Sequence, residues 1–375
     1  MADPAGPAVV SAKVAASDPA PGATLSAALG PGPFACVMLF ISPEADLAAL
    51  LAENAFAAPV IGCTTAGEIA DGYAEGSIVA LGLPAAHFIT DLILVPDLAA
   101  IERDYLIGRL IRARQKLQVA RPDWDHEFAF LMVDGLSTRE DELAAALASG
   151  LGPVPLFGGS AADGTRFRET FVVHGGQALR NAAVLAMIRS RCRARVFKLD
   201  HLVPTDLRMV VTEADPASRT VRRINAEPAA REYARLLGKD PGQLDTLTFA
   251  AHPVVVRIGG KHHVRAIQQV APNGDLVFFS AIDEGLVLTL AQPQDMVAHL
   301  AREMEALSAG TPPEAIIACD CIFRRLEAEE KQMYGAVSSI LRDNHVVGFA
   351  TYGEQMNAMH VNQTMTGVAI YPPGA

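Results

Sequence analysis

A chain of 375 residues can close two ordinary hydrophobic cores, and one giant core is less expected. Half of its residues are apolar and 19% are charged, which excludes extended disorder. The formal net charge of -11, with no basic run longer than Arg222-Arg223 or Arg324-Arg325, argues against a nucleic-acid partner, because an acidic surface repels phosphates.

Residues 1 to 33 are rich in Ala, Pro and Gly without helical periodicity, so they read as a short flexible leader. They lack the basic start and continuous apolar core of a secretory signal, since Asp3, Lys13 and Asp18 interrupt them. Short β-type runs then recur: FACVMLFIS, PVIGCTT, SIVALGL, FITDLILV, EFAFLMVDG, VPLFGG, TFVVHGG and AVLAMI. Several are apolar throughout, as strands covered on both faces should be. The longest of them, such as Ala35 to Ile41 and Ala182 to Ile188, are far too short to span a bilayer.

Apolar residues three and four apart predict helices over Glu44 to Ala52, capped at Ser42-Pro43, over Asp104 to Gln118 and over Glu140 to Ser149. The second half predicts helices at Ala229 to Leu237, Gln294 to Leu307 and about Glu327 to Leu341. Its strands are PVVVRI, HHVRAIQQV, LVFFSAI, EAIIACDCI, HVVGFAT and TGVAIY, with ADPASR and APNG as hairpin turns. The expected fold class is α/β, with two mixed-sheet α/β domains over 34–225 and 226–375 behind the leader.

One internal echo carries more information than the element count. VIGCTTAGE at Val60 to Glu68 repeats as VVGFATYGE at Val346 to Glu354, and a fainter copy, LFGGSAADG, begins at Leu156. Each is an apolar strand running into a small-residue turn, where backbone N-H groups and hydroxyls can approach a guest. The candidate ligand-binding residues are therefore Thr64, Thr65, Gly67, Glu68, Ser160, Thr351, Gly353 and Glu354. The competing reading makes the same turns mere fixtures of strand crossings.

Catalytic signatures are thin, and a non-enzyme is expected. There is no G-x-S-x-G elbow and no G-x-G-x-x-G loop, while GGKHH lacks the rest of a phosphate loop. Cys63 could serve as a nucleophile only beside a base that the sequence does not offer. Asp134, Ser137 and Thr138 read as a strand end and a helix cap. Cys36, Cys63, Cys192, Cys319 and Cys321, an odd set in apolar segments, fit reduced thiols in a cytoplasm, and the C-x-C of Cys319 and Cys321 fits one buried strand face better than zinc. Among the histidines, His360 stands apart: it follows the second Gly-Glu turn, with Met356 and Met359 beside it, so it is either a haem ligand or a satisfied core imidazole.

Taken together, GCTTAGEI, GSIVALGL, FLMVDGLSTREDELAAALASGLG, LFGGSAADG and FVVHGG resemble the N-terminal FIST domain. REYARLLG, HPVVVRIGG, AIIACDCIFRR, GFATYGEQ and NQTMTGVAI resemble the C-terminal one. The resemblance runs from about residue 34 to 371 and implies a cytoplasmic α/β sensory module that binds a small ligand. The ending GFATYGEQ…HVNQT is similar to stand-alone members that include haem-binding nitric oxide sensors, the NosP group. That likeness implies a b-type haem with His360 as its iron ligand and His263 in reserve, nitric oxide as the signal, and a histidine kinase or cyclic-di-GMP enzyme as the partner. Arg257, Lys261 and Arg265 are the candidate anchors for the haem carboxylates. The alternative is a haem-free sensor in which Glu68 or Glu354 takes the ammonium of an amino acid and the turn hydroxyls and N-H groups take its carboxylate. A homodimer is compatible with either.

Overall fold

A computed structural model describes residues 6–258 and 260–374. The apolar strand runs alternate between two buried environments. In Phe34–Ile41, Cys36, Met38 and Phe40 point to a central cluster, while Val37, Leu39 and Ile41 point to an outer one. His126–Val133 does the same with Phe128, Phe130 and Met132 inside and Ala129, Leu131 and Val133 outside. Burial on both faces leaves no polar alternation to read.

Three units of like order make up most of the chain. The first comprises β1 (Val10–Ala15), α1 (Pro21–Leu29), β2 (Phe34–Ile41), α2 (Leu47–Ala52), β3 (Val60–Thr64), the hairpin β4 (Glu68–Ile69) and β5 (Tyr73–Ala74), and β6 (Ser77–Pro84). The second repeats it with β7 (Phe88–Val95), α3 (Arg103–Ala120), β8 (His126–Val133), α4 (Glu140–Leu151), β9 (Leu156–Ser160), the hairpin β10 (Val172–His174) and β11 (Gln177–Leu179), and β12 (Ala183–Ser190).

The third unit opens with β13 (Ala194–Leu199) and is then interrupted by an inserted lobe. That lobe holds β14 (Leu202–Asp215), β15 (Thr220–Ile224), β16 (Glu227–Pro228), α5 (Ala229–Leu237), α6 (Thr246–Ala251), β17 (Val254–Ile258), β18 (Lys261–Arg265), β19 (Ile267–Val270), β20 (Leu276–Phe278) and β21 (Val287–Pro293). The unit resumes with α7 (Met296–Leu307), β22 (Ala315–Cys321), α8 (Ile322–Glu330), α9 (Tyr334–Asp343), β23 (Val346–Thr351), the hairpin β24 (Glu354–Met356) and β25 (Met359–Val361), and β26 (Met365–Ile370).

The three sheets run β1-β6-β2-β3-β10-β11, β7-β12-β8-β9-β24-β25 and β13-β26-β22-β23-β4-β5. Each unit therefore lends its hairpin to a neighbour: the first to the third, the third to the second, and the second to the first. In each sheet the two strands flanking the unit's middle helix or helices pair in parallel, with Leu39 opposite Gly62, Leu131 opposite Gly158 and Ala318 opposite Gly348. A Cβ on any of those glycines would sit 2.6, 2.3 or 1.8 Å from the facing carbonyl oxygen, so the repeated glycine is a packing requirement of the crossing. At the centre, Phe40 stacks on Phe349 and Phe130 on Phe157, each at 4.8 Å between centroids, so the middle of the ring is filled with side chains.

The inserted lobe, an eight-stranded sheet with two helices, sits over the turns that end β3, β9 and β23. Its core takes in Ala66, Ala162, Cys321, Ile322, Ala350 and Tyr352 from the ring. Arg219 bolts the seam, donating to Glu140 at 2.8 Å and Asp141 at 3.2 Å. The expected α/β class with mixed sheets is what the chain forms, here as a ring of three units with an inserted lobe. The units are interleaved, since the last strands of the chain complete sheets begun by the first half.

Several expectations need correcting. The leader is structured from residue 10: β1 pairs with β6 through Val10, Ala12 and Val14, and α1 buries Leu25 and Leu29 behind a Pro21 start. Short alternation and an Ala/Gly-rich helix left no strong period to detect; residues 1–5 lie outside the described residues. The first predicted helix begins three residues later, capped by Asp46 in place of Ser42-Pro43. The helix expected over Glu327 to Leu341 is two, broken where Gln332 takes a positive φ of 58°. No side chain caps α4; Ser137 instead accepts from the Arg139 N-H.

Candidate functional site

The three small-residue turns meet where the parallel strands end, under the inserted lobe. They are stitched to one another by backbone hydrogen bonds: Ala66 N-H to Ala350 O, Ala350 N-H to Gly67 O, Ala162 N-H to Thr64 O, and Ser160 N-H to Gly353 O. Most of their polar atoms are thereby satisfied within the hub. The Thr65 hydroxyl meets the Glu68 carboxyl at 2.5 Å, whose other oxygen accepts from the Ser77 N-H and hydroxyl. Thr351 meets Glu354 at 2.8 Å, and Glu354 in turn accepts from the Thr364 N-H and hydroxyl. The repeated Thr and Glu are one internal brace used twice.

Burial raises the Glu68 carboxyl above its usual range and Glu354 to about 8, so Glu354 is protonated at neutral pH. Its proton has a path, since the Thr351 oxygen that receives it lies 2.8 Å from the Gly353 carbonyl and can donate onward. A neutral, satisfied acid does not attract an ammonium. Glu68, Ser160, Thr351, Gly353 and Glu354 are buried, and none of them lines any of the described hollows. Ser160 accepts from Gln355 at 3.0 Å.

The first turn differs because one side of it stays open. Thr65, Ala66 and Gly67 border a cleft of about 350 Å³, closed by the Asp163–Arg166 loop of the second unit and by Ile322, Arg325 and Glu329 of α8. A second hollow of about 390 Å³ adjoins it, shares Ser42, Pro43, Asp163 and Arg166, and adds Thr64, Arg168 and Phe171. All three ring units therefore meet at this trough.

Buried side chains fix its walls. Asp163 accepts from the N-H groups of Phe167, Arg168 and Glu169 at 2.8, 3.0 and 3.1 Å and from the Tyr352 hydroxyl, which makes the 163–169 loop a rigid nest. Arg325 pairs with Glu75 and Glu329 and donates to the Ala66 carbonyl. A Cβ at Gly67, whose φ is 121°, would lie 1.5 Å from the Arg325 guanidinium, so this glycine makes room for the arginine. Besides the buried Asp163, three charges around the trough have no ion-pair partner among the described residues: Arg166, whose Nε donates to the Asp163 carbonyl at 2.9 Å, Arg168 and Glu44, all exposed. Sequence reading missed these. The alternating TRFRE just after the third echo was the available signal.

His360 projects inward from β25 and is 2% exposed. Its Nδ1 lies 3.2 Å from Gln355 Nε2, which leaves Nε2 to carry the proton, and Nε2 has no hydrogen-bond partner. The ring is wedged against Gly353, where a Cβ would meet it at 2.3 Å, and burial lowers its pKa to about 4. No described hollow is lined by it, so a haem face does not fit there. Strand alternation sends Met356 and Met359 the other way, into a groove of about 690 Å³ that His262, His263, Arg195 and Lys198 also line. Of the other expected anchors, Arg257 is exposed, Arg265 is buried, and the Lys261 side chain lies outside the described residues.

The five cysteines are buried and unpaired; burial pushes Cys36 to about 12 and Cys63 well above the usual thiol range. No group of three or more His, Cys, Asp or Glu side chains able to hold a metal occurs among the described residues. No helix of the described residues is long and apolar enough to cross a membrane.

Family models match most of the chain. Residues 35–227 match the FIST N domain and residues 229–357 the FIST C domain. An uncharacterized protein of Methanocaldococcus jannaschii is 23% identical over 282 residues, which cover 65% of this chain and 54% of that protein. The chain thus spans about half the length of this relative.

Proposed function

The chain belongs to the FIST family, whose domains are sensory and bind small ligands, and from that premise we propose that its sensing site is the trough at the first turn and its guest a zwitterionic metabolite of amino-acid size. The observation that carries this reading is a set of charges without ion-pair partners around the trough: Arg166 and Arg168 on the 163–169 loop for a carboxylate, and Glu44 between β2 and α2 for an ammonium. A hollow of this volume suits a small polar molecule held by a few placed groups. Occupancy would reach the inserted lobe by a short path. Asp163 ties the arginine loop to Tyr352, and Tyr352 packs on Phe167 at 4.6 Å and on Phe279 at 5.9 Å. A signalling protein such as a histidine kinase or a cyclic-di-GMP enzyme would then read the state of that lobe.

A thermal-shift screen of amino acids tests this directly. A guest at a hundred times its dissociation constant adds about 2.7 kcal/mol of stability, and Arg166→Ala should remove most of the response. Absence of any shift, or a shift untouched by Arg166→Ala, would reject the trough.

Haem with nitric oxide is the second reading, favoured by the 690 Å³ groove and by His263 within it. The His263 Nδ1 has no hydrogen-bond partner, and burial lowers its pKa, keeping the imidazole neutral as an iron ligand must be. Met356, Met359 and Phe197 would line the apolar body, and Arg195 would meet a carboxylate. Haem bound there would supply an iron able to take up nitric oxide. Haemin titration should then give a Soret band changed by His263→Ala and left alone by His360→Ala; the reverse pattern, or no band, would sink this reading.

A further inference from the structure

The near-threefold order of the ring allows equivalent edges to be compared. In the third unit, the groove between β13 and α7 is roofed within the chain by Leu202 and Pro204 of β14 and by His262 and His263 of β18. In the second unit, whose edge strand β7 corresponds to β13, a groove runs between β7 and the start of α3. There Leu92, Ile93, Leu94 and Val95 form one wall and Tyr105 and Leu106 the other, around a hollow of about 370 Å³. Tyr105 is 64% exposed, and no strand among the described residues pairs with the outer edge of β7.

An open strand edge beside an apolar slot is the geometry that accepts an added strand. Its rim is acidic. Asp97 and Glu102 line the hollow without an ion-pair partner among the described residues, while Arg109, the cation beside them, is held by Asp91. A second copy would bring the same acidic rim on a chain of net charge -11, so self-pairing is the less complementary occupant.

We propose that the β7–α3 groove docks an extended segment of a partner protein. The segment adds as a strand against Leu92–Val95, points alternate apolar side chains into the slot under Tyr105, and sets a basic residue against Asp97 and Glu102. This surface is separate from the trough, and its failure would leave the trough reading intact.

The probe is a labelled, acetylated Lys-Val-Thr-Val-Thr-Val peptide, followed by fluorescence anisotropy with the full chain. Saturable binding is expected, weakened by about tenfold or more when the two alternate amides of the peptide that face β7 are N-methylated, since their backbone hydrogen bonds to the strand edge are lost. Glu102→Lys, an exposed change that should leave folding intact, should weaken the Lys peptide a few-fold and favour a Glu-for-Lys version of it. Lack of binding, or binding indifferent to both N-methylation and the charge swap, overturns the proposal. A dimer of the chain alone that Glu102→Lys dissociates would also overturn it, in favour of a second copy.

Discussion

The turns Thr64–Glu68 and Ala350–Glu354 carry nearly the same residues and meet different surroundings. Both use a threonine and a glutamate as an internal brace. Beyond that they part. Ala66 stands where the other turn has Tyr352, and the ring of Tyr352 fills the space under the inserted lobe against Phe167 and Phe279. Gly67 faces the Arg325 guanidinium at the edge of an open trough, whereas Gly353 faces the buried His360 ring. The shared letters belong to the scaffold, and access is decided by one residue inside the turn and by what lies over it.

The largest effect should come from the part that the copies share. Gly348→Ala would drive a Cβ to 1.8 Å from the Ala318 carbonyl oxygen, against 2.6 Å from the Leu39 oxygen for Gly62→Ala. Backbone, not a flexible side-chain end, stands in the way, so the strands themselves must part. Gly348→Ala should cost more than about 4 kcal/mol, and Gly62→Ala roughly 1–3 kcal/mol, in urea unfolding. Equal costs, or two near-neutral variants, would show that the crossings tolerate a side chain and that the glycine echo reports something other than packing.

How much of this the sequence discloses depends on the range of the interaction. The strands were readable because their apolar runs are local, and the echo was readable because it is a literal repeat. That three units exist was half visible in LFGGSAADG, but their exchange of hairpins was not, because pairing such as Phe349 with Glu68 spans most of the chain. The trough illustrates the same limit. Thr65 and Gly67 were picked out and do border it, yet the charges facing them come from Arg166 and Arg168, about a hundred residues away, and no local pattern ties those to the turn. His360 was chosen for its neighbours along the strand, and alternation separates them: the methionines face the groove and the imidazole faces the hub.

A smaller effect separates the two braces by their pH response. Glu354 holds its proton in the folded chain up to about pH 8, while in the unfolded chain it ionises near 4.5. Below the lower value both states are protonated and the group adds no pH dependence. Between the two values the unfolded state alone loses the proton, so stability falls as pH rises, by up to about 1.4 kcal/mol per pH unit, and levels off above pH 8. Glu68 is raised as well, mainly by burial, with the hydrogen bonds from Thr65 and Ser77 and then the nearby Arg325 charge opposing the shift. In Glu354→Gln the side-chain amide can donate to Thr351 while its oxygen accepts from Thr364, which preserves the brace and removes the titration. Urea midpoints measured from pH 5 to 8 should therefore decline less steeply in Glu354→Gln than in the parent, and Glu68→Gln should flatten the slope by a smaller amount. Parallel slopes for the parent and Glu354→Gln would mean that the second turn is ionised and wetter than its packing implies, and the contrast between a sealed turn and an open one would lose its electrostatic half.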